Sequence, residues 1–254
     1  MIIDTHSHIY TPEFDADRAN MLARAENEGV NLVLMPAIDN ETHLAMFKAE
    51  ATFPGRCFSM MGLHPCSVKE DYKQELKIVS EYFEKRRFVA VGETGLDFYW
   101  DKTFTDEQYE SFQFQIELAR QYDIPVVIHS RNSIDECIKV VKENQQGNFK
   151  GVFHCFSGNE RQAKEIIDLG FYLGIGGVIT FKNSGLDGVM ADVDLKNIVL
   201  ETDAPYLAPV PFRGKRNECS YLKYVVEKLS EIKNVSKEDV ADITTRNAKE
   251  LFNI

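Results

Sequence analysis

The chain has 254 residues, of which 44% are hydrophobic and 27% charged, enough apolar material for a sizeable core in one barrel-sized domain of about 250 residues. Its formal net charge is −11. That sign excludes a protein that coats or scans DNA by bulk charge, because phosphate neutralisation supplies most non-specific affinity, so a DNA substrate has to be held at a local site. In chain order, short β-branched runs alternate with stretches of helical periodicity, the pattern of a parallel α/β fold. The expected strands are Ile2–Thr5, Leu32–Pro36, Cys57–Leu63, Phe88–Gly92, Pro125–His129, Gly151–His154, Phe171–Gly176 and Ile198–Glu201. Leu76, Val79 and Phe83 make one helical stripe, and Ile134, Ile138 and Val141 another. Thr105 with Gln108 reads as a capping box ahead of Tyr109, Phe112, Ile116 and Ala119. The last stretch starts at Ser236 and Asp239, and its Val240, Ile243 and Leu251 are expected to pack on the barrel.

Eight strand–helix units without a low-complexity linker point to one (β/α)8 TIM barrel spanning 1–254. An open doubly wound sheet is the alternative, but no glycine-rich dinucleotide fingerprint follows the first strand. No apolar run reaches the ~18 residues of a membrane span, and MIIDTHSHIY lacks the basic start of a signal peptide. The five cysteines are odd in number, scattered and free of any CxxC pair, which fits a reducing cytoplasm better than a disulfide framework or zinc knuckle.

Barrel active sites form at the C-terminal ends of the strands, and that is where the histidines gather. His6 and His8 end the first strand as His-x-His, a spacing that aims both rings the same way in an extended chain. His129 ends strand five and His154 strand six, while Glu93 ends strand four and Asp203 lies just beyond strand eight. Imidazole and carboxylate donors together suit zinc, manganese or iron, whereas magnesium prefers oxygen. Six ligands exceed the need of one tetrahedral ion but suit two ions ~3.5–4 Å apart. Glu93 is the expected bridge, with His6, His8 and Asp203 completing one site and His129 and His154 the other. Asp203 is the candidate general base. His43, on an expected helix, reads as an ordinary packed residue, and Cys155 as core.

Several segments are motifs of a known family. DTHSHI (4–9), GETGLDFY (92–99), VIHSR (127–131), FHCFSG (153–158), ETDAPYLAPVPFRGKRNE (201–218) and the closing stretch Thr244–Phe252 resemble the TatD family of metal-dependent deoxyribonucleases. The resemblance runs over essentially the whole chain and implies an amidohydrolase-like barrel. It carries metal-ligand roles onto His6, His8, Glu93, His129, His154 and Asp203. It also implies two divalent ions (Zn, Mn or Mg) and a DNA substrate, as single strands or 3′ ends, cut 3′–5′ or, in some members, endonucleolytically at abasic or damaged sites. Cys66 stands where many members have His or another polar residue, and Cys219 where Pro is common.

Around this set lie the supporting candidates. Arg213, Lys215 and Arg216 follow strand eight, beside the loops with which barrels often hold phosphate, and Arg131, two residues beyond His129, is placed to reach a phosphate or to form a salt bridge. His64, ending strand three, is placed to hydrogen-bond substrate or protonate a leaving group. Glu201 is placed to orient a ligand histidine. Phe98, Tyr99 and Trp100 are candidates for stacking on a base or, equally, for a hydrophobic lid or surface loop. Besides a DNase, the residues allow a metallohydrolase acting on an amide, lactone or aminoacyl ester, or a metal-binding module without catalysis. The basic run at 213–216 favours a phosphate-bearing substrate, and the retention of Asp203 favours catalysis.

Overall fold

A computed structural model describes residues 1–147 and 149–254. Within them lie eight strands: β1 Ile2–Asp4, β2 Val30–Pro36, β3 Cys57–Met60, β4 Val91–Asp97, β5 Val126–Arg131, β6 Gly151–Phe153, β7 Tyr172–Ile175 and β8 Ile198–Leu200. The helices are α1 Arg18–Asn27, α2 Asn40–Thr52, α3 Tyr72–Lys85, α4 Thr105–Tyr122, α5 Ile134–Asn144, α6 Glu160–Asp168, α7 Leu186–Asp192, α8 Leu222–Lys233 and α9 Lys237–Phe252. Every strand pairing is parallel, in the orders β1-β2-β3 and β4-β5-β6-β7-β8. Two seams join these groups into one barrel. A bridge between Met61 and Val91 links β3 to β4. At the other seam Thr5 N–H donates to Leu200 O at 2.9 Å and Ser7 bridges Ala204. The expected (β/α)8 architecture is the one found.

The core has two parts, as a barrel requires. Ile3, Leu34, Met60, Ala90, Val127, Val152 and Val199 form the inner cluster, which Ala248, Leu251 and Phe252 of α9 close from one end. The larger cluster joins the outward strand residues to the helices and includes the expected stripes Leu76–Val79–Phe83, Phe112–Ile116–Ala119 and Ile138–Val141. Ser236 caps α9 by accepting from Asp239 N–H at 3.0 Å. No helix among the described residues is long and apolar enough to cross a membrane, and all five cysteines are free.

Two local expectations fail. Thr105 and Gln108 form no capping box: Phe104 precedes the helix, Thr105 donates to Lys102 O at 2.8 Å, and buried Gln108 accepts from Asp97 N–H at 2.8 Å. A side chain pulled inward to support β4 is unavailable to cap α4. The fourth strand does not end at Gly92 but continues to Asp97, paired with β5 as far as Asp97–Arg131. The register slips between Val91 and Thr94, a bulge that re-aims the residues within it. Close approach is then possible only because residue 95 is glycine, since a Cβ there would lie 2.1 Å from His129 O.

His43 on α2 is 1% exposed, edge-on to Tyr82, with neither ring nitrogen hydrogen-bonded. Burial pushes its imidazole down to about 4 from 6.5. The folded protein keeps this ring neutral where the unfolded chain takes up a proton, so stability falls as the pH drops from 6.5 toward 4. One such site is worth about 2 kcal/mol at pH 5. His43→Leu is therefore expected to flatten the loss of stability between pH 7.5 and 5 in denaturant titrations. An unchanged slope in the variant would refute this assignment.

Candidate metal centre and active site

The ends of β1, β4, β5 and β6 and the segment after β8 converge on Glu93. Its two carboxylate oxygens face different histidines. Oε2 lies 3.1 Å from His6 Nε2 and 3.6 Å from His8 Nε2. Oε1 lies 2.8 Å from His129 Nδ1, 3.2 Å from His154 Nε2 and 3.4 Å from His64 Nε2. Asp203 Oδ1 joins the first side, 3.8 Å from His6 Nε2 and 3.6 Å from His8 Nε2. His6 and His154 stack face to face with centroids 3.6 Å apart. The structure thus brings together all six residues singled out as ligands, and His64 with them.

The outer contacts define which imidazole nitrogen carries a proton. Tyr10 Oη donates to Pro36 O at 2.6 Å, so at its 3.0 Å contact with His8 it accepts from Nδ1–H. His154 Nδ1–H donates to Glu201 Oε1 at 3.1 Å, and His129 Nε2–H to Asp97 Oδ2 at 2.9 Å. In each ring the other nitrogen, a lone pair in the neutral form, faces Glu93 or Asp203. Lone pairs pointed at carboxylates repel unless a cation lies between them, so this donor set fits divalent metal. Without a cation the cluster draws protons instead. Burial works against protonating His154, but the Glu201 and Glu93 carboxylates outweigh it and raise that imidazole well above its usual range. Burial likewise opposes ionisation of Glu93, yet the charges of His154, His64 and His6 hold its carboxyl well below the usual value.

His64 is built differently. Its Nδ1 accepts from Cys66 N–H at 3.0 Å as it caps the short turn Pro65–Ser67. The proton of the neutral ring is therefore on Nε2, the atom directed at Glu93. His64 is a donor toward the centre, in contrast to His8, His129 and His154.

Asp203 sits at the rim with a 15% exposed side chain and a left-handed backbone, φ 56°. That conformation is uncommon for a non-glycine residue. It is held by Asp203 N–H donating to His6 O at 2.9 Å and by Tyr206 N–H donating to Asp203 O at 2.8 Å. Burial pushes the Asp203 carboxyl up to about 6, against the pull of His154 and His8.

Two carboxylates that the motif reading did not single out support the centre. Asp97 holds His129 with Oδ2 and accepts from the backbone N–H groups of Tyr99 and Trp100 with Oδ1, at 2.9 and 3.1 Å. Ending strand four at Gly92 puts Asp97 on a loop. Residues 93, 95 and 97 share one face of an extended strand, and that parity was the available signal. Buried Asp4 accepts from Thr202 N–H and Thr202 Oγ1–H at 2.9 and 2.6 Å, tying β1 to the segment that carries Asp203. Burial pushes its carboxyl up to about 7. Glu201 orients His154 as expected, and Gly174 makes room for it, because a Cβ there would lie 2.3 Å from Glu201 Oε2.

The basic candidates divide. Arg216 is committed elsewhere: it donates to Asp17 Oδ1 and Oδ2 at 2.7 and 2.9 Å and to Glu13 O at 2.6 Å. That pairing removes it from the set available for phosphate. Arg213 lies over the Phe181 ring and Lys215 over Phe212, and Arg131 lies over Tyr99. Among the described residues none of these three has a carboxylate within salt-bridge distance. Phe98 is turned into the core beside Tyr109, leaving Tyr99 and Trp100 exposed. Cys155 is not simply core. Its left-handed backbone, φ 48°, leaves it half-buried beside the acidic cluster, with its N–H donating to Glu201.

The family described as TatD related DNase matches residues 3–253. The metal-dependent hydrolase YabD of Bacillus subtilis (strain 168) is 36% identical over 255 residues, covering 100% of both chains. The 3′-5′ ssDNA/RNA exonuclease TatD of Pectobacterium parmentieri (strain WPP163) is 28% identical, again over 100% of both. The crystal structure of YJJV, a TatD homolog from Escherichia coli k12, superposes with a TM-score of 0.93 at 32% identity, covering 100% of this chain and 98% of that one. The chain belongs to the TatD-related DNase family and is a metal-dependent hydrolase.

Proposed function

We propose that this enzyme, working as one barrel domain, is a deoxyribonuclease that shortens single-stranded DNA from its 3′ end using two divalent ions. The observation that carries the two-ion reading is the division of the Glu93 carboxylate, one oxygen facing His6 and His8 and the other facing His129 and His154. In this reading Glu93 would be shared by both ions, His6, His8 and Asp203 would hold one and His129 and His154 the other, and Asp97 and Glu201 orient His129 and His154. Zinc, manganese or magnesium bound there lowers the pKa of water and stabilises charge on the attacking and leaving oxygens. Asp203, at the rim beside His6 and His8, takes the proton of the attacking water on its carboxylate as the new P–O bond forms. The His64 Nε2–H hydrogen-bonds the oxygen released when the old P–O bond breaks, and that oxygen takes its proton from water. Arg213, Lys215 and Arg131 hold the flanking phosphates. The name of the Pectobacterium relative supports the polarity and the single-stranded substrate. The absence of pairing among Cys57, Cys66, Cys137, Cys155 and Cys219 supports a cytoplasmic setting.

The test is hydrolysis of end-labelled single-stranded DNA by metal-stripped protein resupplied with Mg, Mn or Zn. Stepwise shortening from the 3′ end that requires added metal is the expected result. Intact DNA with every metal, from protein shown to bind two ions, would overturn the reading in favour of another ester or amide.

A further inference from the structure

Tyr99 and Trp100 are 52% and 67% exposed, unusual for two adjacent large aromatic side chains. They are nonetheless fixed. Both backbone N–H groups donate to Asp97 Oδ1, whose other oxygen holds His129, so the loop that carries the rings is tied to the catalytic cluster through a single carboxylate. Their rings meet edge to face with centroids 4.8 Å apart. Arg131, two residues past His129 on β5, lays its guanidinium 3.9 Å from the Tyr99 centroid and 5.2 Å from that of Trp100. It is exposed and, among the described residues, has no carboxylate partner in a chain with net charge −11. A free planar cation packed on two exposed rings at the rim of a hydrolytic centre matches a ligand with a π face and a negative backbone.

We propose that Tyr99, Trp100 and Arg131 form a platform for one unpaired nucleobase of the strand being cut, with Arg131 also drawing in the adjoining phosphate. This deepens the nuclease reading and rests on it. It also gives a physical reason for single-strand preference, because only an unpaired base presents its face to stacking side chains. The platform is a specificity element and takes no part in bond making or breaking.

Trp100 is the sole tryptophan of the chain, so its emission reports the platform directly. The probe is a phosphorothioate-linked hexathymidylate, compared with an abasic chain of the same length and linkage, titrated into the Mg-loaded protein. The thymidine strand is expected to quench Trp100 emission and to bind roughly tenfold more tightly than the abasic strand, the scale of one stacked base. Tyr99→Ala and Trp100→Ala are expected to erase that difference, and Trp100→Phe, which keeps a π face, to restore most of it. The quench in the unaltered protein depends on no variant's folding. Equal affinity for the two strands with unchanged emission, while end-labelled DNA is still shortened, would overturn the platform and leave the nuclease reading standing. If neither strand binds and DNA is not cut, the nuclease reading fails and the platform with it.

Discussion

Glu93→Gln is expected to abolish hydrolysis, lowering the rate on the order of a thousandfold or more and reducing bound metal to one ion per chain or fewer. The substitution preserves shape but removes the one buried charge that five imidazoles surround. It also replaces an oxygen that faces either His6 and His8 or His129, His154 and His64 with an N–H₂ donor. An amide nitrogen cannot accept from a histidine or ligate a cation, so one side of the centre loses its shared ligand whichever way the amide turns. Metal per chain by elemental analysis, measured beside the rate on end-labelled DNA, checks this. A Glu93→Gln protein with two ions and near-normal turnover would show that Glu93 is not the bridge.

Asp203→Asn is expected to cost on the order of 10²–10⁴-fold in rate while keeping more of the metal than Glu93→Gln does. His6 and His8 still converge beside Glu93 when Asp203 is altered, so a ligand is weakened but the site remains. What disappears is the group that accepts the proton of water, because a carboxamide has no basic lone pair at neutral pH. The backbone of residue 203 is held by main-chain bonds to His6 O and from Tyr206 N–H, and neither depends on the side chain. Loss of rate with folding and metal content largely preserved is the expected signature. Loss of both ions together with the rate would instead make Asp203 chiefly a ligand.

The candidate ligands were legible because barrel sites follow a simple positional rule. His129 and His154 each stand two residues after an inward-facing valine, Val127 and Val152, so strand parity alone aims them inward. Glu93 shows where that rule stops. Counting by twos from Ala90 leads to Gly92, and only the slip between Val91 and Thr94 brings Glu93 to the centre. A bulge depends on the neighbouring strand and leaves no periodic trace. Asp97 was missed because ending the fourth strand at Gly92 put it on a loop, whereas β4 stays paired with β5 as far as Asp97.

The sequence by itself determined the alternation of strands and helices and the barrel they close, and it put six candidate donors near the strand ends, because each of these follows from local periodicity or from a residue's place within its unit. Only the tertiary structure decided how the supporting groups are used. Arg216 meets Asp17 across 199 positions of sequence, Asp4 meets Thr202 across 198, and Glu201 reaches His154 across 47. Whether a cation is spent on a neighbouring carboxylate or left for substrate, and which imidazole nitrogen is left bare, depends on partners that barrel closure brings together. Local pattern carries no record of those partners, because the energy that selects them is that of contacts distant in sequence.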